Sequence, residues 1–162
     1  MIYHHDDGDA AADFVDEFGP LFEQTYTRGV TDGDDFVDSP ADDLILHSIR
    51  DRYVRDASLA ILLLGETTWS RRFVDWEIAA VLSPRGAQPL PLMAVCLDRL
   101  PPRLPPRLLP TRHFEGQSPV ARVASLPRSP VELSTDIACS LRNGRGRACL
   151  SAPPLLRSDL RI

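Results

Sequence analysis

The chain has 162 residues, 43% of them apolar and 25% charged, with a net charge of −5. That length suits one domain with a real core. The acidic balance excludes a general nucleic-acid binder and an anionic-membrane binder, both of which need basic surface.

The elements follow in chain order. Residues 1–4 are short and β-like, a clipped first strand by the usual length of parallel strands. Asp6, Asp7 and Asp9 precede or open a helix, where its dipole favours negative charge. Ala11, Phe14, Val15, Phe18, Leu21 and Phe22 recur at helical spacing. Residues 25–30, rich in Thr and Tyr, read as a second strand. Thr31-Asp32-Gly33-Asp34-Asp35 is a turn. Ser39-Pro40 starts a helix with Ile45, Ile49 and Tyr53 inward.

Residues 59–64 are an unbroken apolar run, the pattern of a strand covered on both faces. After Gly65, Thr67 or Thr68 is placed to cap the next helix. In that helix Trp69, Phe73, Trp76, Ala80 and Val81 mark one apolar face. Residues 92–97 form a fourth strand, with prolines at its start. The order β-α-β-α-β-α-β implies a parallel sheet with helices on both faces.

After Asp98 the character changes. Pro101, Pro102, Pro105, Pro106 and Pro110 punctuate an Arg/Leu-rich stretch. Residues 111–162 read as an irregular Pro/Arg/Ser-rich tail beyond a domain of residues 1–110. Within the tail, 131–141 spaces Leu133, Ile137 and Leu141 as one helix. The tail either completes the sheet with a fifth strand and helix, is disordered, or arises from a reading-frame error.

The three cysteines, Cys96, Cys139 and Cys149, form no CxxC pair, and Cys96 reads as a buried free thiol. No signal peptide or membrane-length apolar stretch is present, which points to the cytosol. His4, His5, Asp6 and Asp7 offer ligand chemistry, but no matching His/Cys set exists elsewhere, so no metal is expected. Phosphate loops, GxGxxG and GxSxG are all absent. A receiver domain is excluded because residues 64–66 are Leu-Gly-Glu and the chain has no lysine.

Glu77 is the residue of interest. It sits at the edge of an apolar helix face, where a carboxylate costs desolvation unless it has a partner or a task. The plain alternative is a boundary glutamate paired with Arg71 or Arg72. Asp75 either supports a site or pairs with the same arginines.

Five pieces carry a family resemblance: Tyr3-His4-His5-Asp6-Asp7; Val30-Thr31-Asp32-Gly33-Asp34; Ile49-Arg50-Asp51-Arg52-Tyr53-Val54-Arg55-Asp56-Ala57-Ser58; Gly65-Glu66-Thr67-Thr68-Trp69; and Val74-Asp75-Trp76-Glu77-Ile78. Together they resemble the Thoeris-type TIR-like proteins of bacterial antiphage defence, over roughly residues 1–108. The resemblance implies a flavodoxin-like TIR fold, with four to five parallel strands and helices on both faces. It implies NAD⁺ as substrate rather than cofactor. The nicotinamide–ribose bond is broken, and the ADP-ribose part becomes a cyclic or conjugated second messenger that activates a separate effector. By resemblance Glu77 is catalytic. Tyr3, His4, His5 and Asp6 of the first loop line the nucleotide cleft, and Phe73 and Trp76 flank the glutamate as further substrate-binding residues, with core packing the alternative for Trp76. Self-association through TIR surfaces is implied; nucleic acid and membrane are not. Two alternatives stand beside the enzyme: a non-enzymatic interaction module, and a nucleotide binder that does not consume its ligand.

Overall fold

An apolar run facing two layers of helix must be covered twice, and residues 60–64 are. In the computed structural model, which describes residues 1–27, 29–83, 89–97, 103–108, 121–144 and 155–160, strand β1 is Ala60–Leu64 and all five of its residues are buried. It pairs in parallel with β2, Leu92–Cys96, which pairs in parallel with β3, Ala121–Ser125. Ile2 adds one parallel bridge to Leu62, on the other side of β1. Cys149, Pro101, Pro102 and Pro110 lie outside the described residues.

Side-chain alternation assigns the two faces. Leu62 and Leu64 of β1, with Leu92 and Ala94 of β2, pack under helices α2 (Asp42–Ile49) and α3 (Arg72–Leu82). Ile61 and Leu63, with Met93 and Val95, pack under α1 (Gly8–Phe18) and α4 (Pro130–Gly144). The result is a helix–sheet–helix sandwich. Ile45 and Ile49 are fully buried on α2, and Ala11, Phe14 and Phe18 on α1. Leu21 and Phe22 fall beyond α1, because Pro20 sits in the 3₁₀ turn Gly19–Leu21. Cys96 is a buried free thiol. Among the described residues, no helix is long and apolar enough to cross a membrane.

Four expectations change. The first concerns strand number: the described residues hold three strands and one bridge, not four or five. Residues 25–27, 29 and 30 make no ladder, since Ile2 offers a single bridge with no strand to extend. The Val30 N–H goes instead to Glu77 at 2.8 Å, and the Thr31 N–H just beyond it to Asp34 at 2.8 Å. The second concerns the edge of the sheet: β3 lies where no strand period was read. Only Ala121 in it is buried and its second residue is Arg122, so it lacks the apolar signature of a central strand.

The third concerns the start of α3. Neither threonine caps it. Thr68 instead accepts from the Gly65 N–H at 2.9 Å and donates to Asp7 at 2.7 Å. Asp159, far along the chain, accepts the Arg72 N–H at 2.8 Å. Likewise α2 begins at Asp42, while Ser39 accepts from the Ala41 N–H one turn earlier. The fourth concerns Trp69, which is half-buried outside the core with the Arg103 guanidinium 5.1 Å from its ring centre.

Residues 155–160 cross the outer side of α2 and α3. Leu155 donates to Asp42 at 3.0 Å, Leu156 to Asp75 at 3.0 Å and Leu160 to the Ser70 carbonyl at 2.8 Å. Arg157 bonds the Ser39 and Pro40 carbonyls and pairs with Asp42.

Candidate active site

Helix α3 carries two buried carboxylates with different surroundings. Asp75 is held by Arg107 through two bonds of 2.6 and 2.9 Å, both side chains almost wholly buried. It also accepts the Leu156 N–H. Arg107 was not foreseen as its partner; Arg71 and Arg72 look outward instead.

Glu77 is 6% exposed. It pairs with neither Arg71 nor Arg72. Its Oε1 accepts the Val30 N–H at 2.8 Å. A Cβ at residue 29 would lie 2.3 Å from the same oxygen, so Gly29 is what lets this backbone reach the carboxylate. Burial pushes the Glu77 carboxyl up to about 7, against the Val30 hydrogen bond and the Met1 amino group, with Asp34 adding to the rise.

Beside Glu77 lies a cleft of about 430 Å³, lined among others by Tyr3, His4, His5, Gly29, Phe73 and Asp159. Such a volume is within the range of small-molecule sites. Of the residues expected from the sequence, the structure therefore gathers Tyr3, His4, His5, Phe73 and Glu77 in one hollow. Trp76 is outside it: the side chain is 1% exposed, donates to the Leu156 carbonyl at 2.6 Å and packs edge-on to Phe73. Asp6 is not among the lining residues. It sits at the rim, paired with Arg71 at 3.1 Å.

Burial first, then the nearby Arg71 and His5, holds His4 below its ordinary value, so it is neutral at pH 7. Its Nδ1 accepts the Asp6 N–H at 3.3 Å, leaving the proton on Nε2. His4, His5 and Asp6 each bring one potential ligand atom within 4.8 Å of the others. These atoms face one another and Arg71, whose charge opposes a cation there.

The turn after Val30 is rigid and acidic. Asp34 accepts from the Thr31 N–H, the Thr31 hydroxyl and, at 2.8 Å, the Tyr53 hydroxyl. Burial opposes ionisation, but these bonds and Arg52 outweigh it and hold the carboxyl below its usual range. Asp32 reaches Arg72 at 2.7 Å. The Arg72 guanidinium also covers the Phe73 ring at 4.5 Å.

Sequence reasoning missed Gly29, Val30 and Asp159. Gly29 had a signal: a lone glycine in a strand-like run often marks a close backbone approach. Asp159 had none.

A second cavity of about 450 Å³ also has Glu77 in its lining, together with apolar residues such as Phe22, Tyr26, Val54 and Leu90.

Compared with known proteins, residues 2–101 match the family described as Thoeris protein ThsB, TIR-like domain. No curated protein and no solved structure matches the chain. The match spans α1 through β2 and so includes Glu77, Gly29 and the first loop, while β3, α4 and residues 155–160 lie beyond it. This chain belongs to the Thoeris TIR-like domain family, an antiphage-defence branch of the flavodoxin-like TIR fold.

Proposed function

We propose that this protein cleaves the nicotinamide–ribose bond of NAD⁺ with Glu77 as its catalytic carboxylate. The ADP-ribose part would then become a cyclic or conjugated messenger for a separate antiphage effector. The observation that carries the reading is a buried glutamate with one backbone hydrogen bond, open to a cleft of ligand size.

The chemistry needs little else. When the C1′–N bond breaks, its electron pair goes to the ring nitrogen and nicotinamide leaves neutral. Positive charge develops at C1′, and a fixed carboxylate beside it lowers that barrier. Water or another nucleophile then takes C1′, its proton going to solvent. The leaving group needs no protonation, so one carboxylate suffices and a neutral His4 is no obstacle. A Glu77 pKa raised by burial is the kind of perturbation found at functional carboxylates. With its value near 7 the carboxyl is about half protonated at neutral pH, and the cationic nicotinamide ring would favour its ionised form. That Tyr3, His4 and Phe73 line the same cleft supports a role for them in holding ribose and ring.

The reading puts the enzyme in the cytoplasm, where NAD⁺ is plentiful, and involves no nucleic acid or membrane. Self-association through TIR surfaces would tune access to the cleft. The test is nicotinamide release from NAD⁺ by purified protein with phage-infected lysate, followed by chromatography. Release by the native protein and its loss in a folded Glu77→Gln variant are expected. Equal turnover in that variant removes Glu77 from the role. Absence of release from both, under triggering lysate, favours the interaction module.

A further inference from the structure

The outer wall of the cleft is a cationic site already filled by the chain itself. Arg71 and Arg72 stand at the start of α3, an eleven-residue helix whose first N–H groups and dipole favour an anion. Asp159 occupies that position. Its Oδ1 accepts the Arg72 N–H at 2.8 Å and its Oδ2 accepts from Arg71 Nη1 at 3.1 Å. These bonds hold its carboxyl below the usual range, although burial opposes them. Arg71 Nε is buried with no hydrogen-bond partner, so the carboxylate leaves part of the fork unused.

We propose that Arg71, Arg72 and the first turn of α3 form a pyrophosphate subsite, which residues 155–160 hold shut by seating Asp159 in it. The substrate's identity rests on the NAD⁺ reading above; the subsite itself does not. Charge supports the proposal. With Asp159 in place, three carboxylates (Asp6, Asp32 and Asp159) face two guanidinium groups at the rim. A dinucleotide's two phosphate charges would meet a net negative wall. With Asp159 withdrawn, the charges balance, and Arg71 Nη1 and the Arg72 N–H are released for phosphate oxygens.

The outer end of the segment is lightly held, while Leu155 is buried in the core and Leu156 bonds both Asp75 and Trp76. Asp159 is 46% exposed and Arg157 is 47% exposed. Exposed pairs of this kind are individually weak. The segment's anchors on Asp42 and Ser70 are separate from the cleft. A partner that takes up this segment would open the anion site without touching Glu77.

The experiment is calorimetric titration of the full chain with inorganic pyrophosphate, and in parallel with ADP-ribose. The proteins are native, Asp159→Asn, Arg157→Ala and Asp159→Asn/Arg71→Gln. Asp159→Asn should bind pyrophosphate about tenfold more tightly than native, roughly one charge-assisted hydrogen bond. Arg157→Ala, which loosens the segment away from the site, should move affinity in the same direction. Adding Arg71→Gln should cancel the gain. Equal affinity in native, Asp159→Asn and Arg157→Ala overturns the proposal, as does a gain that survives Arg71→Gln. Tighter pyrophosphate binding without nicotinamide release from any variant would sink the enzymatic reading and leave the subsite standing. Release that depends on Glu77, with pyrophosphate affinity unchanged throughout, would do the reverse.

Discussion

Asp75 and Glu77 lie two residues apart on α3, about 200° around the helix, and both are almost fully buried. The side facing Arg107 gives Asp75 a bidentate guanidinium and a backbone N–H. The side facing the cleft gives Glu77 one N–H from Val30. Burial is therefore not what separates a structural carboxylate from a chemical one. Completeness of partners is. A carboxylate with its lone pairs satisfied is fixed in place, whereas one left short of donors has its charge available for something that binds.

The most severe way to break this comparison is to strip Asp75 of its partner. Arg107→Ala should cost about 3–5 kcal/mol, because it leaves a buried charge uncompensated. Urea unfolding measures it, and a loss below about 1 kcal/mol would mean that Asp75 is not held as described. Glu77→Gln should do the opposite, lowering nicotinamide release by about 10²–10³-fold, the scale for losing one fixed charge-stabilising group, while the fold persists. If that variant unfolds instead, Glu77 belongs with Asp75 on the structural side.

Titration sharpens the contrast. The Glu77 carboxyl ionises near 7 when folded and near 4.5 when unfolded. Between these values the folded state binds more protons, so stability falls as pH rises from 4.5 to 7 and levels off above. The full effect is about 3 kcal/mol. Relative to native protein, Glu77→Gln should gain stability across that window, measured by urea unfolding at a series of pH values. A pH-independent difference would contradict the buried, under-partnered carboxyl.

Gly29→Ala should displace Glu77, since the added Cβ would overlap its Oε1. A shift of about 1 Å is worth roughly 10–100-fold in turnover. Retained activity would show that the carboxylate has room the structure does not give it. The smallest effect is expected at His5, whose side chain is 83% exposed. His5→Ala should change stability by less than about 0.5 kcal/mol in thermal melting. A larger loss would mean that the first loop is structurally tied to the site.

Much of this was legible from local pattern. The run at 59–64 had to be a covered strand, and the spacing of Phe73, Trp76, Ala80 and Val81 had to be a helix with Glu77 at its apolar edge, although its start was read several residues too early. Ile45 and Ile49 had to face inward, and 131–141 carried a helix of its own. Five short pieces of sequence placed the chain in its family. What failed was pairing. Residues 25–30 have strand composition, but the described residues 25–27, 29 and 30 make no ladder, and the Val30 N–H goes to Glu77. Residues 121–125 have a poor composition and still became a strand, because β2 offered an unpaired edge.

The sequence by itself determined which segments bury apolar side chains, because periodicity and hydrophobicity are local properties of the chain. Only the tertiary structure decided which carboxylate on α3 is satisfied, that Gly29 admits a backbone donor to Glu77, and that Asp159 sits on Arg71 and Arg72. Those are contacts between distant residues. Coulombic and hydrogen-bond energies depend on separation in space, and spacing along the chain carries no record of it.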